Sequence, residues 1–360
     1  MILINGNFMC RNVTGIERLS WQILKNIDEM IESKEIPREA RIALYVPANA
    51  ADFHQIPAYK NLKLIQSDKP IHSFPVWDLF TFASACKKHK AVALNFSNTA
   101  PLGKRCGISY IHDIYAADFP QDFSTFRDKL VALYSKFCYR NIAKNALKIV
   151  TVSRFSKNRI AQRFKVSENK IFITCNGWDH FKTIEADNSI LDKISVKPKE
   201  YFFTLGSLSK RKNLVWIADY AKNHSDDIFV ISGKAISGLV PPELEILKNL
   251  KNVILVGYVT DSQIKALMKN CLAFVFPSYY EGFGLPPLEA LSCGAKVVCS
   301  NAASIPEICS SCVNYIDPKN TNCDLKKIIE NPVSPADEIL EKYTYKNAAK
   351  KLYEIIKDFC

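Results

Sequence analysis

The stretch CLAFVFPSYYEGFGLPPLEAL, Cys271–Leu291, decides the fold. Its first part, Cys271–Pro277, is apolar and β-rich without polar alternation, the pattern of a strand buried on both faces of a parallel sheet. Pro286-Pro287 suits the first turn of a helix, which runs on to Ser292. Between strand and helix, Gly282 and Gly284 let the backbone approach a ligand closely. In open parallel sheets ligands bind at the carboxyl ends of strands, beside helix N-termini. Free N–H groups in such a turn point toward an anion such as a diphosphate. Glu281 and Glu289 bracket the turn, and a carboxylate can accept two hydrogen bonds from the vicinal hydroxyls of a sugar or ribose. The bland alternative makes Glu281 a solvated loop residue and Glu289 half of a surface pair on the helix.

The same grammar extends outward. Tyr201–Leu205, Ile228–Ser232, Val253–Val256 and Lys296–Ser300 are further buried-strand runs, and helical patterns occupy Leu214–Asn223, Pro242–Leu250 and Asp261–Lys269. The polar segment Ala186–Glu200 reads as a domain linker. Before it, strands are predicted at Ile2–Asn5, Arg41–Val46, Leu62–Gln66, Ala91–Asn95, Gly107–His112, Lys148–Ser153 and Lys170–Thr174, with helices over Ile16–Ile31 and about Thr125–Ala146. Strands alternating with helices mean α/β domains with parallel sheets. The expectation is two Rossmann-like, doubly wound domains facing across a cleft, residues 1–185 and 200–340, with a closing helix over 345–360.

Composition agrees. The chain has 360 residues, 48 Lys+Arg against 36 Asp+Glu, a net charge of +12, 48% hydrophobic and 23% charged residues. At about 100–200 residues per domain, two domains fit. No apolar run reaches the roughly 18–20 residues of a membrane span. MILINGNFMC lacks a basic leader and a cleavage site, so it reads as a first strand and the protein is expected to stay in the cytoplasm. Of the 12 cysteines only Cys309 and Cys312 form a C-x-x-C pair, so buried thiols are expected and no metal is. There is no G-x-x-x-x-G-K-[ST], G-x-G-x-x-G after the first strand, G-x-S-x-G or H-E-x-x-H, and no Asp-x-Asp to hold a divalent ion.

Other strand ends supply further candidates. After Tyr201–Leu205 come Gly206 and then Lys210-Arg211-Lys212, three cations placed to neutralise phosphate oxygens. His112 ends a first-domain strand, where it could touch a substrate hydroxyl; a lone His is more often a satisfied core residue. Asn12–Arg18, with Gly15, opens a helix and forms a second phosphate turn. Ser153 and Asn176-Gly177 lie at two more strand ends, the latter readable as turn chemistry alone.

Glu281 and Glu289, in E-G-F-G-L-P-P-L-E, match the E-x7-E signature of the family-four retaining glycosyltransferases of GT-B fold, and the chain resembles that family along most of its length. Asn12–Leu19 looks like the family's N-terminal Gly-Ile/Val-x-Arg loop. Asn98–Leu102, Ile111-His112-Asp113, Thr151-Val152-Ser153-x-x-Ser156, Asn176-Gly177 and Gly206-Ser-Leu-x-x-Arg211-Lys212-Asn213 also fit. The resemblance implies that Glu281 contacts donor-sugar hydroxyls and Glu289 the ribose. It gives Phe283, Gly284 and Leu285 backbone contacts to sugar and diphosphate. Lys212, helped by Arg211, stabilises the leaving diphosphate. His112 sits beside the reacting carbon, Gly15 near the phosphates and Tyr258 near the base. Many relatives have Arg where this chain has Ser207, which puts the role of Arg211 in question. The implied chemistry is transfer from a nucleotide-sugar donor to an acceptor hydroxyl with retention and without a metal or other cofactor, and the resemblance also implies that the closing helix 345–360 packs back on the first domain.

Lys136, Arg140, Lys144 and Lys148 recur at every fourth residue, with Leu130, Leu133, Tyr134 and Phe137 beside them. Such a surface suits an anionic cytoplasmic leaflet, although a core helix with a solvated basic face explains it equally. No motif supports nucleic acid. Together with the resemblance, this surface implies a peripheral membrane enzyme that extends a lipid-linked oligosaccharide in bacterial O-antigen or capsule assembly. GDP-mannose is the first choice of donor, and acceptor specificity falls to the loops Asp68–Phe82 and Ala116–Phe126. Another GT-B enzyme (an epimerase or phosphorylase) and a non-catalytic nucleotide-sugar binder stay as alternatives. Glu281, Glu289 and Lys212 together argue against the second.

Overall fold

All thirteen strands among the described residues are parallel members of two sheets. A computed structural model of the chain describes residues 1–206, 209–233 and 243–360. Ser207, and the expected helix start at Pro242, lie outside them. The chain divides into one unit of Met1–Pro120, Leu130–Gly177 and Tyr343–Cys360, and another of Gln121–Lys129 and Trp178–Lys342.

In the first unit β1 (Ile2–Asn5), β2 (Ile42–Val46), β3 (Lys63–Gln66), β4 (Val92–Asn95), β5 (Ile108–Tyr110), β6 (Lys148–Thr151) and β7 (Ile171–Ile173) stand in the order 3-2-1-4-5-6-7. Strand β1 is central and wholly buried, Ile2 lying opposite Ile42 on one side and Val92 on the other. Strand β3 closes one edge and turns Lys63, Leu64 and Gln66 to solvent, a charged edge that resists pairing with another chain.

Helix α1 (Gly15–Glu32) starts in a capping box between Thr14 and Glu17 and buries Leu19, Ile23, Leu24, Ile27 and Met30 on one stripe. The long helix α2 (Phe126–Asn145) ends before Lys148. Lys148 is therefore not the fourth member of a helical stripe. It opens β6 and gives its ammonium to the Ile355 carbonyl at 2.6 Å. A spacing of four persisted past the end of the helix by coincidence, because Leu147 already hydrogen-bonds to Gly107.

The second unit holds β8 (Tyr201–Leu205), β9 (Ile228–Ser232), β10 (Val253–Gly257), β11 (Ala273–Phe276), β12 (Val297–Ser300) and β13 (Asn314–Ile316) in the order 10-9-8-11-12-13. Its core stacks Phe202 on Phe229 at 5.2 Å and packs Trp216, Tyr220 and Val275 around them. Each fully buried ring of this kind contributes about 1.5–3 kcal/mol of transfer free energy. Strand β13 carried no sequence signal: it has three residues, two of them half-buried, at a sheet edge.

The expected linker is part of this unit. Within Ala186–Glu200 lies helix α3 (Ser189–Lys193), which buries Ile190 and Leu191. It is tied to α5 (Asp261–Asn270), which follows α4 (Leu214–Asn223), by Asp187 N–H to the Ser262 carbonyl at 3.0 Å and Asn270 to Asn188 at 3.0 Å. The polar residues are satisfied on the surface of a packed segment, and the division between units falls at Gly177/Trp178. After α6 (Leu285–Ser292), the final helix α7 (Tyr345–Ile356) packs on α1 in the first unit. Lys346 and Lys350 hold Glu35 at 2.9 and 2.8 Å, and the Met1 ammonium donates to the Phe359 carbonyl at 2.6 Å.

Candidate functional site

Strands β8 and β11 are neighbours in register, so the loops leaving their carboxyl ends lie side by side. The β8 loop turns through the short 3-10 segment Lys210–Lys212 and ends at Asn213, whose left-handed backbone (φ 57°) starts α4. Asn213 donates to the carbonyls of Pro277 and Pro318 at 3.0 and 2.8 Å, while Tyr279 N–H donates to the Arg211 carbonyl at 3.0 Å. Ser304 donates to the carbonyls of Glu281 and Phe283 at 2.9 and 3.0 Å. These bonds fix two irregular loops that propensity alone would leave loose.

Glu281 stands where the loops meet, 5% exposed. Its Oε1 accepts from Lys212 Nζ at 2.7 Å and from Ser278 Oγ at 2.7 Å, and its Oε2 from Arg211 Nη1 at 3.0 Å. Burial pushes this carboxyl group up. The Arg211 and Lys212 charges, with hydrogen bonds from Lys212 and Ser278, outweigh burial and hold it below the usual range. The Lys212 ammonium also lies 4.7 Å from the centre of the Phe276 ring.

Room for Lys212 comes from glycines. A Cβ on Gly206 would stand 2.9 Å from Lys212 Cε, and one on Gly233 would fall 1.7 Å from the Gly206 carbonyl oxygen. Gly233→Ala must therefore shift the β8 loop backbone. It is expected to raise amide hydrogen exchange in the loop after β8 while the sheet stays folded, as mass spectrometry beside circular dichroism would show. Wild-type exchange in that loop would contradict this.

Gly284 caps α6 with φ +89°, and the nearest atom to a Cβ there would be Ile305 Cγ1 at 3.6 Å. The backbone angle, more than space, calls for glycine. Leu285 is the first helical residue, and N–H groups in a first turn have no acceptor within their own helix. Phe283 is buried, and Glu289 lies one turn into α6, 7% exposed, its Oε1 3.3 Å from His180 Nε2. Glu289 is thus no surface-pair residue. Tyr258 follows β10, 79% exposed.

In the first unit, His112 lies just past β5 and is buried, its ring stacked on Tyr110 at 5.2 Å. Its Nε2 meets the Phe96 carbonyl at 2.6 Å and its backbone N–H donates to Asn98 Oδ1 at 2.8 Å. Burial lowers its pKa, so the ring is neutral and the carbonyl sets the Nε2–H tautomer. Gly15 is exposed at the first position of α1, with nothing within 4 Å of a Cβ placed there. Gly177 N–H donates to Asn176 Oδ1 at 2.9 Å, turn chemistry in itself.

Lys212, Arg211, Gly206, Glu281 and the Gly282–Leu285 turn therefore come together, and Glu289 lies in the helix that follows. Sequence reasoning missed Ser278, Ser304 and His180, and placed Asn213 in the turn after β8 without giving it a role. Ser278 was readable from its spacing of three before Glu281; His180, 109 positions before Glu289, carried no local signal. All cysteines among the described residues are free thiols, and among those residues no group of three His, Cys, Asp or Glu side chains could hold a metal ion. No helix of the described residues is long and apolar enough to cross a membrane.

Residues 187–351 match the family model described as glycosyl transferases group 1. The chain is similar to O-antigen chain mannosyltransferase B of Escherichia coli, 28% identical over 235 residues that span 62% of this chain and 60% of that protein. It is also similar to O-antigen chain mannosyltransferase RfbU of Salmonella typhimurium, 24% identical over 286 residues, 76% of each chain. Among solved structures, HepE of Anabaena in complex with UDP and glucose superposes with a TM-score of 0.64 at 16% identity, over 99% of both chains. That likeness is one of fold, the GT-B class of two parallel α/β domains.

Proposed function

We propose, from the match of residues 187–351 to the group 1 glycosyl transferases, that the chain is a retaining glycosyltransferase. It moves a sugar, mannose in the first instance, from a nucleotide-sugar to a lipid-linked oligosaccharide of a bacterial surface polysaccharide. The observation that carries the reading is the Glu281 carboxylate held between Lys212 and Arg211 at the head of α6. Two cations and a helix N-terminus suit a diphosphate whose negative charge grows as it departs. A fixed carboxylate and exposed loop amides suit the hydroxyls of the sugar.

In the reaction proposed, the bond from the anomeric carbon to the diphosphate oxygen breaks. A bond from that carbon to the acceptor oxygen forms on the same face, and the acceptor proton leaves with the diphosphate. Lys212 and Arg211 supply the positive charge that a divalent ion supplies elsewhere, so transfer needs no metal. Glu281 and Glu289 orient sugar and ribose, and neutral His112 contacts the sugar beside the reacting carbon.

A panel of nucleotides and nucleotide-sugars in EDTA tests this by thermal shift. A ligand at a hundredfold excess over its Kd adds about 2.7 kcal/mol to native stability. GDP and GDP-mannose are expected to raise Tm. A response to UDP forms instead would change the donor and keep the class, and no response to any nucleotide would overturn the reading.

The proposed workplace is the cytoplasmic face of the membrane, with the protein bound peripherally. Helix α2 supports this: Leu130, Leu133 and Phe137 are 50%, 61% and 47% exposed, beside Lys136, Arg140 and Lys144. At about 1 kcal/mol per cation, replacing those three by Gln should weaken binding to anionic vesicles about a hundredfold at low salt. Co-sedimentation measures it, and equal pelleting of both proteins would remove the membrane.

A further inference from the structure

Between α1 and the segment 54–61, the first unit carries a cavity of about 660 Å³, a volume in the range of small-ligand sites. The segment is tied down at both ends. His54 Nε2 meets the Arg11 carbonyl at 2.6 Å, and its ring stands edge-on to Trp21 at 6.2 Å. At the other end the Asp28 carboxylate accepts the N–H groups of Lys60, Asn61 and Leu62 at 3.0, 2.8 and 2.7 Å, and Glu32 accepts Asn61 Nδ2 at 3.0 Å. Between these ties Gln55–Tyr59 stands off the helix and leaves the cavity.

The wall chemistry selects a ligand class. Trp21 and Tyr59 supply aromatic surface, and Gln22, Gln55 and Glu29 supply amide and carboxylate groups. Aromatic faces accept the C–H side of a sugar ring, while amides and carboxylates accept and donate to its hydroxyls. Asp28, Glu29 and Glu32 outnumber Lys25 and Lys60 in the wall, and Lys25 is 3.9 Å from Glu29, so the lining carries no surplus of positive charge to hold a phosphate or other anion. We propose that this groove is a saccharide-binding site for a neutral segment of the glycan that the enzyme extends. The inference rests on the glycan-transferring role proposed above; none of the groove residues is among those assigned to the donor.

The four tryptophans provide the readout, since each indole N–H gives one nitrogen–proton correlation peak. Trp21→Phe identifies the Trp21 peak. Titration of the full chain with α-linked mannotetraose, and with maltotetraose beside it, is expected to move that peak saturably and to leave Trp216, in the core of the other unit, in place. Gln22→Ala combined with Glu29→Ala, both on the accessible side of α1, is expected to weaken the titration about tenfold without changing Tm. A Trp21 peak that stays put up to about 10 mM of either sugar, far weaker than a working site, would overturn the proposal. So would the same titration in the double variant. Nucleotide binding is followed separately: a Trp21 response without any nucleotide response keeps the groove and removes the donor reading, and the reverse outcome removes the groove alone.

Discussion

Lys212→Ala is expected to lower kcat about 10²–10³-fold, the usual consequence of removing one preorganised group from a developing anion. Lys212 is 8% exposed and its ammonium is anchored by Glu281 and the Phe276 ring, so no reorganisation is needed when charge builds up on the diphosphate. Lys212→Arg is not expected to rescue it. Cδ, Cε and Nζ of Lys212 already pass within 3.4 Å of the position a Gly206 Cβ would take, and the wider guanidinium fork has no such path. Single-turnover rates at saturating donor, on protein with unchanged circular dichroism, measure the effect. A loss below tenfold in kcat would mean that the leaving group is stabilised elsewhere.

Glu281→Ala is expected to cost both activity and about 3 kcal/mol of stability, because it strands Lys212 and Arg211 without their counter-ion in a largely buried site. The pH dependence follows from the direction of the shift. The folded-state pKa of Glu281 lies below its ordinary value of 4.5. The native state therefore holds fewer protons than the unfolded state near that pH. The ion-pair contribution is complete above about pH 4.5 and is lost as pH falls through the folded-state pKa. Glu281→Gln removes that part of the acid limb, so wild type and variant should converge as the pH is lowered below 4.5. Urea midpoints between pH 3 and pH 7 measure it; parallel curves would assign the acid limb to other carboxylates. Lys212→Ala, by contrast, leaves Arg211 and Ser278 on Glu281, so its loss should fall on catalysis more than on stability.

The architecture was legible because both sheets are parallel and buried. Unalternating runs such as Phe202–Leu205 and Ala273–Phe276 can be little else in a chain of ordinary polarity; the exposed edge strand Lys63–Gln66 was placed without that signal, and Asn314–Ile316 was not placed at all. The candidate loop was legible for a related reason: Gly284 at positive φ and the two prolines after Leu285 are backbone requirements written as residue types. The misreadings had local causes. Ala186–Glu200 looks like a linker because Ile190 and Leu191 are too few to show a period, and Lys148, correctly placed in a strand, was added to the basic stripe only because four-residue spacing continues past the last helical turn.

By itself the sequence determined the class of fold, the strand-turn-helix at Glu281–Glu289 and the cations after β8, because each depends on residues close together in the chain. Tertiary structure alone decided what those groups do to one another. That Lys212 and Arg211 close on Glu281, 69 and 70 residues away, follows from β8 lying beside β11 in the sheet. That His180 faces Glu289 is likewise a fact of packing between distant segments. Periodicity and turn chemistry report each residue's own backbone, whereas strand order, which sets these partners, is a property of the assembled sheet.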